Sequence, residues 1–248
     1  MILEGLKATL KNPGIILFPI LAMLVLYVLM SAAVMTAITP SELQNIAKNE
    51  SFKNFTQQAK TTEKIIYKYL RKNLTKTIIA FLMFGTLAFV IGEFLNASMI
   101  VAAKEIVFNN TFSFKSAFDG GFVYTLPLIG VDILCGLGFL AFLMPFYIVY
   151  YVTGLKTIVD VTPIALLFVA PLLIMPRYVL IVKDESVINS IVEGFRVAIR
   201  NYPLSFTAVV FCSLISMASL AVPIVYPIAS AFSASLLNVY MCHIAGGE

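Results

Sequence analysis

An all-α, polytopic integral membrane protein is the fold class this sequence predicts. It has about six transmembrane helices, in three repeats of an in-plane amphipathic helix followed by a helical hairpin. Three observations predict it. Hydrophobic residues fill 60% of the 248 positions and charged residues 12%, against about 45–50% and about 25% in an ordinary soluble domain. Several apolar runs exceed the roughly 20 residues that cross a bilayer. A charged ten-residue phrase is written twice, as LEGLKATLKN over Leu3–Asn12 and as VEGFRVAIRN over Val192–Asn201, 189 positions apart.

The chain opens on the first phrase. Glu4 precedes Lys7 by three residues, as Glu193 precedes Arg196, which sets acid and base on one helical face. Lys11 likewise answers Arg200. Over residues 185–201 the apolar set is Val187, Ile188, Ile191, Val192, Phe195, Ala198 and Ile199. The polar set is Asn189, Ser190, Glu193, Arg196 and Arg200, so the pattern is a helical stripe. Asn12 and Asn201 suit helix C-termini, with Pro13 and Pro203 following. Each phrase therefore reads as an amphipathic elbow that stops where a span begins.

The first span is expected over residues 14–38, the second over 77–102, the third over 122–152 and the fourth over 161–182. The last apolar run, 204–245, is about twice a bilayer thickness and is split by Pro223 and Pro227 into two helices. A third, weaker copy of the phrase precedes the third span as SAFDGGFVYTLP, with Phe118 at the position of Phe195 and Phe122 at that of Ile199. Residues 1–248 thus form a single membrane domain. Repeat one covers 1–103 with an extramembrane helical insert at 39–76, repeat two 104–183 and repeat three 184–248. Gly154–Asp160 reads as a short polar turn between spans.

Two spans separate successive elbows, so all elbows are expected on one membrane face. They carry Lys7, Lys11, Lys104, Lys115, Lys183, Arg196 and Arg200. The opposite face carries the basic insert, in which TTEKIIYKYLRKN sets Lys64, Lys68, Arg71 and Lys72 against Ile65, Ile66, Tyr69 and Leu70. Raw counts of basic residues do not choose an orientation. The Asn-X-Ser/Thr sequons at Asn49, Asn54 and Asn73 favour an outside insert, with termini and elbows in the cytoplasm of a multi-pass cell-membrane protein.

Ionisable residues within spans face other helices or a cavity. Glu93 and Arg177 each lie about 16 residues into spans running the same way, roughly 24 Å deep at 1.5 Å per residue. An intramembrane polar cluster is therefore expected from Glu93, Asn96, Arg177, Asn238 and His243, built on a Glu93–Arg177 pair. Asp132 lies nearer mid-membrane with no evident basic partner. Close helix contacts are expected at Ser230, Ala231, Ala234 and Ser235, and at Gly85, Gly92, Gly136 and Gly138.

No Walker loop, GxSxG, HExxH or calcium-loop motif occurs, and one histidine excludes a multi-histidine metal site. Cys135, Cys212 and Cys242 are scattered through apolar runs and suggest neither disulfide nor zinc. The reading is of a non-enzyme without cofactor or metal. The net charge of +4 is assigned to lipid headgroups and topology rather than nucleic acid.

The order "amphipathic helix, Asn-Pro, span" and the stretch PRYVLIVKDESVINSIVEGFRVAIRN resemble a group of prokaryotic six-span proteins. That group includes the membrane domain of some glycerophosphodiester phosphodiesterases. The resemblance covers residues 176–203 best and 2–13 less well, and implies a membrane-embedded module with no catalytic residue carried over. Two functions follow as expectations. One is a lipid-binding or accessory module, whose partners are membrane lipids and a protein at the 39–76 segment. The alternative is a transporter or channel for a small solute, ion or lipid, using the Glu93–Arg177 cluster. The first needs a dry core and the second an aqueous or lipid-lined path to those charges.

Overall fold

The computed structural model describes residues 2–38, 71–154, 157–219 and 225–247. Most of the basic insert, with Lys64 and Lys68, lies outside the described residues, as does Pro223. The described chain is helical: α1 (Ile2–Lys11), a 3-10 turn (Pro13–Ile16), α2 (Leu17–Ala37), α3 (Leu74–Asn109), α4 (Phe114–Thr153), α5 (Thr157–Val182), α6 (Val187–Arg200), α7 (Tyr202–Ser219) and α8 (Tyr226–Gly246). No strand occurs among the described residues.

Every expected span coincides with a helix. Among the described residues, four stretches are long and apolar enough to cross a membrane: Pro13–Ala37, Leu74–Asn109, Phe114–Thr153 and Tyr226–Gly246. A fifth is reached if α6 and α7, bent by 90° at Asn201, count as one span. α5 runs for 26 residues, and the part of it that is fully described, Leu166–Val182, is apolar. The protein is thus a polytopic helical membrane protein, and among the described residues four to five helices meet the length and composition of a span.

The chain divides into two compact units, Met1–Leu21 with Glu93–Glu248, and Ala22–Gly92. Within the second, smaller unit, Asn73 Nδ2 donates to the Ala37 carbonyl at 3.5 Å, and Ala33, Ala37 and Ala80 are buried.

The larger unit is built around α3, α5 and α8. Ile100, Ile106, Met175, Leu180, Leu236 and Met241 are almost fully buried. Lys104 Nζ donates to the Ile181 carbonyl at 2.7 Å, and Cys242 Sγ lies 3.6 Å from the Ile100 carbonyl, which puts the ends of the three helices level. The other helices surround this core. The Ser233 hydroxyl of α8 donates to the Cys212 carbonyl of α7 at 2.5 Å. Tyr202 OH of α7 donates to the Phe168 carbonyl of α5 at 2.8 Å. The far end of α4 exposes Phe142, Met144, Ile148 and Val152, an apolar surface that a bilayer would cover.

The elbows lie at the end where α3, α5 and α8 come level, away from that exposed part of α4. Asn12 and Asn201 both turn Nδ2 back to a carbonyl four residues earlier, Ala8 at 3.1 Å and Val197 at 3.2 Å. Each is a second donor to a carbonyl that also accepts the backbone N–H of the same asparagine. The second phrase behaves differently. It has no helix of its own and forms the opening turns of the 40-residue α4. Tyr124 stands where the other copies have asparagine, so no capping side chain stops the helix there. The boundary expected at residue 104 likewise falls inside α3, which continues to Asn109. The loop expected at Gly154–Asp160 is shorter: Gly154, at φ 68° in the left-handed region, ends α4 and α5 begins at Thr157.

Aligned on Phe118 and Phe195, the three phrases share two small positions. Gly5, Ala117 and Gly194 occupy one, and Thr9, Gly121 and Ala198 the other. All six are buried. A Cβ at Gly194 would meet the Pro176 Cα at 2.5 Å, one at Gly5 the Tyr240 ring at 2.6 Å, and one at Gly121 the Ser98 Oγ. The third phrase therefore leans on α5, the second on α3 and the first on α8. Chain start and chain end close the same kind of contact that neighbouring segments make. Gly136 and Gly138, expected at helix contacts, have open space around a Cβ, as do Gly85 and Gly92 in the smaller unit.

Candidate functional site

Two features gather the functional candidates: a buried charged cluster and the elbow surface. The cluster forms where α3, α4 and α5 meet. Arg177 Nε donates to Asp132 Oδ1 at 2.5 Å. The expected pairing of Arg177 with Glu93 is corrected: the ion-pair partner is Asp132. The reason is helix register. Tyr124 OH donates to Asp184 Oδ1 at 2.6 Å and sets α4 against the end of α5. From that contact Asp132 is eight residues along one helix and Arg177 seven along the other, about 12 and 10 Å at 1.5 Å per residue. Depths counted from the ends of apolar runs hid this, because α4 begins at Phe114, well before the run at 122.

Glu93 remains beside the pair. Its carboxylate accepts from Asn96 Nδ2 at 3.4 Å and is close enough to Asp132 and Arg177 to act on both. The side chains of Asp132 and Arg177 are 10% and 30% exposed. Asp132 Oδ2 is buried and has no donor in hydrogen-bond range. One guanidinium thus faces two carboxyl groups, one from α3 and one from α4.

Asn238 and His243 do not join this cluster. Asn238 is buried on α8, where Nδ2 donates to the Ala234 carbonyl at 2.8 Å and approaches Met99 Sδ at 3.6 Å. His243 is exposed at the end of α8, in a cleft of about 240 Å³ shared with Glu4, Asn110 and Tyr240. Reading every intramembrane polar residue as one cluster failed because helix azimuth, not depth alone, decides which side chains meet. No group of three or more His, Cys, Asp or Glu placed to hold a metal ion occurs among the described residues.

The elbow surface has three sectors where the sequence suggested two. In α6 the buried sector is small: Ser190, Gly194, Val197 and Ala198. The bulky apolar residues Ile188, Val192 and Ile199 lie on a separate exposed sector. Arg196 and Arg200 are exposed on a third. The other phrases repeat part of this. Leu10, Phe122 and Ile199, at one aligned position, are 62%, 81% and 66% exposed. Lys7 and Lys11 are exposed on α1, as are Arg71 and Lys72 beyond the start of α3. Sequence periodicity found the apolar stripe but not that small residues, rather than large ones, contact the protein.

α6 is pinned by Glu193, which bonds to Lys183 Nζ at 3.3 Å and to Arg196 Nη1. The Lys183 hydrogen bond, then Arg196, hold its carboxyl below the ordinary glutamate range. Its stabilising effect is therefore complete above that range and is lost as pH falls through the lowered folded value. Glu193→Gln is expected to abolish this acid-side dependence. Amide hydrogen exchange across 187–200, compared at neutral and acidic pH in both proteins, checks it. An unchanged pH profile in the variant would show that another group controls the elbow.

No protein-family model matches the chain, and neither a curated protein nor a solved structure matches it.

Proposed function

We propose that this chain is a non-enzymatic, lipid-associated accessory module of a cell membrane, whose elbows lie in the interface of one leaflet and engage anionic headgroups. The observation that carries this reading is the three-sector elbow. An in-plane helix against a protein needs a close-packing sector, an acyl-facing apolar sector and a cationic sector at headgroup level. The separation of Gly194 and Ala198 from Ile188, Val192 and Ile199, and of both from Arg196 and Arg200, supplies those three. A water-facing helix would leave the bulky residues exposed at a hydrophobic cost of about 25 cal/mol per Å². Orientation with the elbows in the cytoplasm agrees with the anionic charge of that leaflet. The resemblance at residues 176–203 points to the same kind of embedded module.

The test uses the full chain in bilayers of mixed zwitterionic and anionic lipid, with spin-labelled lipids reporting relative association. Anionic lipid is expected to be enriched around the protein, with the enrichment falling at high salt. Replacing Lys7, Lys11, Arg196 and Arg200 by glutamine is expected to remove most of it. Each cation near an anionic surface contributes about 1 kcal/mol. Equal enrichment in the variant would refute the headgroup role.

A second reading, transport of a small solute or ion, is favoured by the donorless buried oxygen of Asp132 beside the part-exposed Arg177. Glu93→Cys and Asp132→Cys in a cysteine-free background discriminate. Labelling by a membrane-impermeant maleimide from either side would establish an aqueous path and favour transport. Protection in a folded protein would favour the accessory role.

A further inference from the structure

The Arg177 cluster has unbalanced charge. With every group ionised, one guanidinium and two carboxylates sum to −1 within the membrane-embedded bundle. Among the described residues, the other titratable groups beside it are Cys135 and Tyr178, which add no cation. α6 contributes only apolar contact nearby, from Val187 against Gly130. An uncompensated carboxylate out of water is costly enough that such groups take up a proton instead. The hydrogen bonding has a matching defect. Asp132 Oδ2 is buried without a donor, while the neighbouring Glu93 carboxyl has only the long contact from Asn96. A single proton would remedy both: it brings the cluster to neutrality and supplies the missing O–H donor between the two acids.

We propose that Glu93 and Asp132 form a proton-binding site in which the two carboxyl groups share one proton beside Arg177. The site joins α3 to α4 through that proton, while the guanidinium joins α4 to α5. Removing the proton leaves two carboxylates facing each other between α3 and α4, so the packing of these helices answers to pH. The site stands whether or not the chain carries a solute, and whether or not the elbows engage headgroups.

Infrared spectroscopy of the full chain in lipid nanodiscs tests it directly. At neutral pH the wild-type protein is expected to show the carbonyl stretch of one buried, protonated carboxylic acid, shifted on exchange into heavy water. Glu93→Gln and Asp132→Asn each leave one carboxylate with Arg177 and are both expected to fold. Both are expected to lose that band. The stability of the wild type should also fall as pH rises above neutrality, since the folded state binds a proton that the unfolded chain does not. Glu93→Gln should not show that fall. Absence of the acid band in wild type at neutral pH would overturn the proposal, as would its survival in either folded variant.

Discussion

Arg177→Met is expected to destabilise the protein by about 3–5 kcal/mol, because it strands Asp132 as an unpaired charge in the bundle. Among the described residues the guanidinium is the one cation beside these two carboxyl groups on different helices, and it holds α5 to α4 through Asp132. The cost should grow with pH, since at low pH both acids can be neutralised by protons. Adding Asp132→Leu should recover much of the loss, because well-packed apolar residues often replace a buried pair at little cost. Unfolding in mixed micelles, followed by circular dichroism, measures both variants. A single-variant effect under about 1 kcal/mol, the range of surface ion pairs, would mean that the pair is solvated in the folded protein.

How much of this was legible in the sequence differs by element. The helices were, because apolar runs of bilayer length and the 3.6-residue stripe of Val192–Asn201 have few alternative conformations. The elbow ends were legible too, through Asn12 and Asn201. The identity of the charges inside the bundle was legible, but their pairing was not. Depth was counted from hydrophobic run ends, while the register is set by the Tyr124–Asp184 contact and by a helix that starts at Phe114. The glycines divide the same way. Gly136 and Gly138 were expected to allow close backbone approach yet have open space, whereas Gly5 and Gly194 carry the close approaches. Spacing along one helix says which residues share a face. It does not say which face meets another helix.

Gly194→Ala is the sharper test of the elbow geometry. A Cβ built at Gly194 would lie 2.5 Å from the Cα and 2.7 Å from the nitrogen of Pro176. Carbon atoms in contact prefer about 3.5–4.0 Å. Both obstructing atoms are backbone, so no rotamer change clears them and α6 must slide away from α5. Alanine gains about 0.5–1 kcal/mol over glycine within a helix, but overpacking a fitted contact costs about 1–3 kcal/mol. The net effect should be destabilising, and Gly194→Val should be worse. Gly5→Ala should cost less, because its obstruction is the Tyr240 ring, a side chain that can tilt. Gly136→Ala, with nothing within 4 Å, is expected to be neutral or stabilising. The displacement has a further consequence at the cluster. Pro176 precedes Arg177, so an α6 forced off Pro176 disturbs the residue that carries the guanidinium. Gly194→Ala and Arg177→Met are therefore expected to be non-additive, as changes at coupled neighbours are. Strict additivity in the double variant would show that elbow and charged cluster are mechanically separate.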